Sequence, residues 1–252
     1  MSITVEGLRF SYKNFSLRVD GLKFDNSRIT AIVGPNGAGK STFLKCLASV
    51  VPVGRGMLKL DGRDLTAIDG RERARLISYV PQEQAPTFDY TVLDYVVMGR
   101  AAGLSLFSSP SDRDFRIAAE ALDYVGLGHY AGRSHLQLSS GERRLVLIAR
   151  ALAQQSDIML LDEPTTFLDP RHEMEIMELT RRLAGERKKT ILVTLHSLEM
   201  AVRYSDSMIF MKKGEIIASG KPSAILSEEL LEKVYDLKMR LVDFESRQLI
   251  IR

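Results

Sequence analysis

Nine consecutive residues restrict this chain more than any others. Gly34 to Thr42 read GPNGAGKST, directly after the β-rich run Ile29 to Val33 and before a stretch of helical character, Ser41 to Val50. The pattern G-x-x-x-x-G-K-[ST] between a strand and a helix is a phosphate loop in its required context. Gly34, Pro35, Asn36, Gly37, Ala38, Gly39, Lys40, Ser41 and Thr42 are the candidates to surround a bound phosphate. The glycines let successive N–H groups turn inward, and the following helix directs its positive end at the same anion. Lys40 adds a point charge near the terminal phosphates, and the Ser41 hydroxyl can ligate Mg2+.

A second pattern lies far downstream. Ile158 to Pro164 read IMLLDEP, a buried strand ending in two acids. An unpaired buried carboxylate costs several kcal/mol, so acids placed there are expected to face a cation or a proton in transit. Asp162 suits Mg2+, and Glu163 suits the polarisation of an attacking water; the alternative is that both cap the strand and pair with surface bases.

Around these motifs the chain reads as α/β. Ile3 to Phe10 and Phe15 to Phe24 are expected strands of an N-terminal antiparallel region, and Gly54 to Leu60 is a strand before an Asp61-Gly62 turn. Thr91 to Gln137 shows helical periodicity, with Val92, Tyr95, Val96 and Gly99, then Ile117, Ala118, Ala121, Leu122 and Val125 on recurring faces, and reads as a helical insertion. A helix at Ser140 to Gln154, the strand Ile158 to Leu161, a helix at Pro170 to Gly185 and a strand at Thr190 to Thr194 follow. Helices alternating with buried strands predict a three-layer core with a parallel sheet. Residues 221–252 form a C-terminal extension of two short helices and an edge hairpin, Arg240 to Arg252. The whole chain, 1–252, is expected to be one domain.

Composition excludes several classes. Thirty-five Lys and Arg against 32 Asp and Glu leave a net charge of +3, too weak a field to suggest nucleic acid. Cys46 is the single cysteine, so no intramolecular disulfide can form, and it reads as a small buried hydrophobe. The opening residues lack the pattern of a secretory signal. No apolar run approaches the roughly 20 residues that span a bilayer, so a role in transport requires partners.

Leu138 to Glu142 read LSSGE at the start of the Ser140 helix. Together with GPNGAGKST, Gln82 in YVPQ, LLDEP, FLDP at Phe167 to Pro170 and His196 at the end of a strand, this order resembles the ATP-binding cassette family from about Ile3 to Gly220. The resemblance implies a P-loop NTPase core with a helical subdomain and a role for each matching residue. Tyr12 would stack on adenine. Gln82 would reach Mg2+ and the water while its loop touches a permease. Ser139 and Gly141 would close over the γ-phosphate of ATP held by the opposite subunit. His196 would sense that phosphate, and Asp169 would link the two ATP sites, with a helix N-cap as its alternative role. The usual family motif has Gly and Gln where this chain has Ser140 and Glu142, and serine lacks glycine's access to positive φ. His129, His135 and His172 read as ordinary polar positions.

The implied protein is an ATPase that works as a homodimer on the cytoplasmic face of the cell membrane, bound to integral permease subunits and served by an extracytoplasmic solute-binding protein. Glu163 is the expected general base, with His196, Lys40 and Gln82 completing the catalytic set and Ser41, Gln82 and Asp162 holding Mg2+. YVPQ, TVLDYVVMGR and PTTFLDP resemble ATPases of importers for iron chelates, haem, cobalamin and metal oxyanions. An exporter subunit and a soluble non-transport ATPase of the same superfamily remain as alternatives. A stand-alone P-loop kinase would share the cradle but have no use for LSSGE followed by LLDEP.

Overall fold

Two glycines divide what the sequence presents as two continuous N-terminal strands, Ile3 to Phe10 and Phe15 to Phe24. Gly7 at φ +85° separates β1 (Ile3–Val5) from β2 (Leu8–Tyr12), and Gly21 at φ +66° separates β3 (Phe15–Val19) from β4 (Leu22–Lys23). Positive φ turns the backbone out of the pleat at little steric cost to glycine. Each break therefore sends the chain from one sheet to another: β1 pairs with β4, whereas β2 pairs with β3 from Leu8↔Val19 to Tyr12↔Phe15. The computed structural model describes residues 1–82, 88–105, 108–244 and 247–251. Its contacts form two compact units, Met1–Ala67 with Thr180–Arg252, and Ile68–Leu179.

In the first unit, β5 (Ile29–Val33) is buried at every residue and leads through the glycine loop to α1 (Lys40–Leu47). This helix buries Phe43, Leu44, Cys46 and Leu47 and stops short of the expected Val50; Ser49 lies at φ +53°. The expected strand from Gly54 begins only at Leu58, after Gly56 at φ +75°. It forms β6 (Leu58–Leu60), which turns at Asp61-Gly62 into β7 (Arg63–Asp64). The order β4-β1-β6-β7 is antiparallel throughout, the expected N-terminal β region.

The second unit opens with two elements that had no legible pattern. These are α2 (Gly70–Leu76), capped by Asp69, and β8 (Ile77–Val80). A seven-residue helix without a buried residue carries no apolar stripe. The expected insertion consists of α3 (Val92–Val97), α4 (Asp112–Tyr124) and short 3-10 turns, with Val92, Val96, Ala118, Ala121, Leu122 and Val125 buried; its Leu106 and Phe107 lie outside the described residues. Arg100 ties it to α5 (Ser140–Ala153), donating to Asp114 Oδ1 at 3.0 Å and to the Ala153 carbonyl at 2.8 Å. Then β9 (Ile158–Leu161) runs parallel to β8, Ile77↔Ile158 to Val80↔Leu161. The helix α6 (Pro170–Glu186) begins in this unit.

Back in the first unit come β10 (Thr190–Thr194), α7 (Leu198–Tyr204), β11 (Ser207–Lys212) and β12 (Glu215–Gly220). There the strand order is β2-β3-β12-β11-β5-β10, in which β11, β5 and β10 are parallel. The expected parallel strands form the core of this sheet, and antiparallel pairs flank them, β12 on β11 and β2 on β3. Lys213 and Gly214, at φ +49° and +80°, make the two-residue turn that lays β12 antiparallel on β11. The C-terminal extension follows the expected order: α8 (Pro222–Ile225), α9 (Glu228–Tyr235), and a hairpin of β13 (Arg240–Phe244) with β14 (Arg247–Ile251). The final residue expected in that hairpin, Arg252, lies outside the described residues.

Candidate functional site

The glycine loop is a backbone cradle with no room for side chains at its two ends. A Cβ on Gly34 would lie 2.1 Å from the Met211 carbonyl oxygen, and one on Gly39 would lie 2.6 Å from Phe15 Cζ; both residues have positive φ, as does Gly37. Gly39 is the N-cap of α1 and supplies no side chain to its first turn, whereas side-chain oxygens of Asp69, Thr91, Ser139, Ser197 and Ser227 cap α2, α3, α5, α7 and α9. A helix start with amides uncapped by any side chain, behind a run of glycines, suits an anion. Lys40 is buried, and its Nζ donates to the carbonyls of Gly34 at 2.9 Å and Pro35 at 3.2 Å. Ala38 N–H closes the loop on Pro35 O, and Gly214 N–H holds Ala38 O. Asn36 and Gly37 are exposed at the tip, and Ser41 and Thr42 are half-buried in the first turn of α1.

Two further expected residues lie in this unit. Tyr12 is 62% exposed at the tip of the β2–β3 hairpin, and the neighbouring Phe15 carries the ring that meets Gly39. An exposed aromatic face is what stacking on a base needs. His196 is exposed two residues past β10.

The second unit contains the carboxylates. Asp162 is buried, its N–H bonded to Val80 O and its Oδ2 accepting the Tyr79 hydroxyl at 2.9 Å. Burial, and then the Asp162 charge, push the Tyr79 phenol above its usual range, so it remains a donor. Glu163 stands at φ +48°, a conformation that non-glycine residues hold at a cost and that recurs at functional sites. Its Oε2 accepts Gln82 Nε2 at 3.0 Å and Thr166 Oγ1 at 3.4 Å. Within this unit Asp162 and Gln82 offer carboxylate and amide oxygens, and in the first unit Ser41 offers a hydroxyl; all are hard donor types of the kind Mg2+ takes.

LSSGE is built as a capping box. Ser139 Oγ accepts the Glu142 N–H at 3.3 Å, and Glu142 Oε2 accepts the Ser139 N–H at 2.7 Å. That second bond, above all, holds the Glu142 carboxyl below its usual range. The departure at Glu142 is thus the residue type a capping box uses. Ser140 is the first helical residue, where glycine's freedom is not needed. Asp169 caps α6, its Oδ1 accepting from Arg171 N and His172 N, while Oδ2 meets His172 Nδ1 at 2.5 Å. The His172 bond, first of several causes, lowers the Asp169 pKa.

The structure adds residues that the sequence did not single out. The His172 ring would meet a Cβ on Gly141 at 2.7 Å, so this histidine touches both the LSSGE turn and Asp169. Tyr79 holds Asp162, and its place as an aromatic three residues before Gln82 was the only available hint. Cys46 is buried as expected, and that burial pushes its thiol up to about 12.

Comparison with known proteins gives one family. The ABC transporter profile matches residues 17–166. The ferric enterobactin transport ATP-binding protein FepC of Escherichia coli K12 is 36% identical over 222 residues, 88% of this chain and 82% of the relative. The iron(3+)-hydroxamate import ATP-binding protein FhuC of Bacillus subtilis is 35% identical over 242 residues, 96% of this chain and 90% of the relative. Among solved structures, a transporter described as of metal-chelate type, in an inward-facing conformation, aligns with a TM-score of 0.86 at 31% identity, covering 99% of this chain and 96% of the other. A dimeric post-hydrolysis state of the cassette MJ0796 with ADP and Pi aligns with a TM-score of 0.73 at 26% identity, covering 88% and 98%.

Proposed function

The chain belongs to the ABC transporter family, and from that premise we propose that it is the ATP-hydrolysing subunit of a membrane importer for a metal chelate, haem, cobalamin or metal oxyanion. It acts as one nucleotide-binding domain and pairs with a second copy; the dimeric cassette that shares its fold supports this reading. No helix among the described residues is long and apolar enough to cross a membrane. In this reading the chain sits on the cytoplasmic face of the membrane against permease subunits, which an extracytoplasmic binding protein supplies. The importer names of its relatives support the direction.

Gly34 to Thr42 hold the phosphates through backbone N–H groups, and Tyr12 stacks on the base. Ser139 and Gly141 of the second copy complete the enclosure, and Asp169 joins the two nucleotide sites. Lys40 and His196 stabilise charge on the transferred phosphoryl group. Bound Mg2+ would neutralise phosphate charge, with Ser41, Gln82 and Asp162 to hold it. Glu163 takes a proton from, or orients, the attacking water.

The observation that carries hydrolysis is the 3.0 Å contact of Gln82 with Glu163. A carboxylate at the end of a buried strand, aimed by a neighbouring amide, is arranged to polarise water. Glu163→Gln preserves the shape and removes the base, so turnover falls by about 10²- to 10⁴-fold while MgATP binding persists and a nucleotide-dependent dimer accumulates. Normal turnover in that variant excludes the assignment.

A further inference from the structure

Among the described residues the buried Lys and Arg side chains are Lys40 and Arg144, and the hydrolytic scheme leaves Arg144 unused. Arg144, five residues after Ser139 on α5, is 1% exposed and is the largest of the fully buried side chains. Burying a guanidinium costs several kcal/mol unless its donors are placed well. The other arginines of α5 are less buried: Arg143 turns back to the Leu138 carbonyl in the LSSGE turn just before the helix, and Arg150 reaches the Tyr95 hydroxyl. Arg144 instead leaves its helix, and its Nη1 donates to the Pro81 carbonyl at 3.1 Å.

Pro81 stands at a decisive point. The β8–β9 ladder ends at Val80↔Leu161, and Val80 O is taken by Asp162 N–H, so the Pro81 carbonyl is the next oxygen along the chain. The next residue is Gln82, whose amide meets Glu163. One buried side chain therefore joins the helix that begins with the LSSGE turn to the backbone that carries Gln82.

We infer that Arg144 is a positioning residue for hydrolysis: it anchors the Pro81 carbonyl to α5, so that Gln82 is held where its amide orients Glu163. The inference rests on the hydrolytic roles proposed above for Gln82 and Glu163. It makes the start of α5 and the water-activating pair one mechanical unit, in which a displacement of the LSSGE helix reaches Glu163 through Arg144, Pro81 and Gln82.

Arg144→Met keeps most of the packing and removes every donor. Steady-state ATPase kinetics are measured on the full chain carrying Arg144→Met, Gln82→Ala or both, with thermal melting as a control for folding. A lost hydrogen bond from a charged donor corresponds to about 10- to 100-fold, so Arg144→Met should lower kcat by that factor with KM for MgATP changed less than about threefold. On the Gln82→Ala background the same substitution should change kcat less than about twofold, because the route is already cut. Equal fold-losses on both backgrounds, or a folded Arg144→Met with wild-type kcat, overturn the inference. Where the methionine variant does not fold, Arg144→Lys retains a buried cation with poorer geometry; it must show the same dependence on Gln82, and additivity refutes the proposal. If Glu163→Gln leaves turnover intact, the hydrolytic reading itself fails. If Glu163→Gln stops turnover while Arg144→Met does not alter it, only the role of Arg144 fails.

Discussion

Replacing Gly34 with alanine tests the cradle at its least forgiving point. The new Cβ would stand 2.1 Å from the Met211 carbonyl oxygen and 3.3 Å from Ala38 Cβ, at a φ of +154° that side-chain-bearing residues rarely adopt. The obstacle is backbone on β11, a strand paired on both sides with β5 and β12, so no rotamer change relieves it. Overpacking costs about 1–3 kcal/mol and a disfavoured φ costs about 1–3 kcal/mol more, or roughly 2–6 kcal/mol together. At about 2 °C per kcal/mol for a chain of this length, the melting temperature without nucleotide should fall by roughly 4–12 °C. If the loop yields instead, its amides turn away from the anion, and the lower figure taken from binding weakens MgATP by about 30-fold. Differential scanning calorimetry and equilibrium titration with a fluorescent ATP analogue read the two routes separately. A Gly34→Ala protein with both wild-type melting and wild-type affinity would show that the close approach to Met211 has no energetic consequence.

Three further outcomes are expected. Tyr79→Phe removes the hydroxyl that donates to Asp162; a hydrogen bond to a charged group contributes about 1.5–3 kcal/mol, so ATPase assays should need more Mg2+ for half-maximal rate, and an unchanged Mg2+ dependence refutes the link. Gly141→Ala drives a Cβ to 2.7 Å from the His172 ring, which Asp169 holds in place; it should lower the melting temperature in wild type and much less beside His172→Ala, and equal losses would dismiss the contact. In acid, Asp114 is held down at about 2 by the Ser111 hydroxyl, then the Ser111 N–H and Arg100. Its folded pKa lies below the unfolded value of about 3.9, so its stabilisation is complete above that value and lost as pH falls toward 2. Melting curves between pH 2 and 5 should be less steep in pH for Asp114→Asn, and identical slopes would exclude that contribution.

Legibility in the sequence followed the density of local constraint. The phosphate loop was readable because its glycines, its lysine and its flanking elements each answer a requirement confined to a few neighbouring residues. Ile158 to Leu161 and Thr190 to Thr194 were readable as buried strands because apolar runs of that length have few other uses. By contrast, Ile3 to Phe10 looked like one strand although Gly7 breaks it, since a single glycine can sit in a strand or end one. The parallel core expected from alternating helices and strands is present in β11, β5 and β10, but the antiparallel β12 beside it was not legible, because Lys213-Gly214 reverses the chain and a two-residue turn carries little composition of its own.

What the amino acids alone determined were the chemical types: an anion cradle, a strand ending in acids, a serine-led helix start, and through their order the family. Only the tertiary structure decided who holds whom. Tyr79 on Asp162, Gln82 on Glu163, Arg144 on Pro81 and His172 against Gly141 each join residues placed by packing as well as by chain order. A buried hydrogen bond depends on distance and direction in space, and residues 81 positions apart, as Gln82 and Glu163 are, carry no local trace of either.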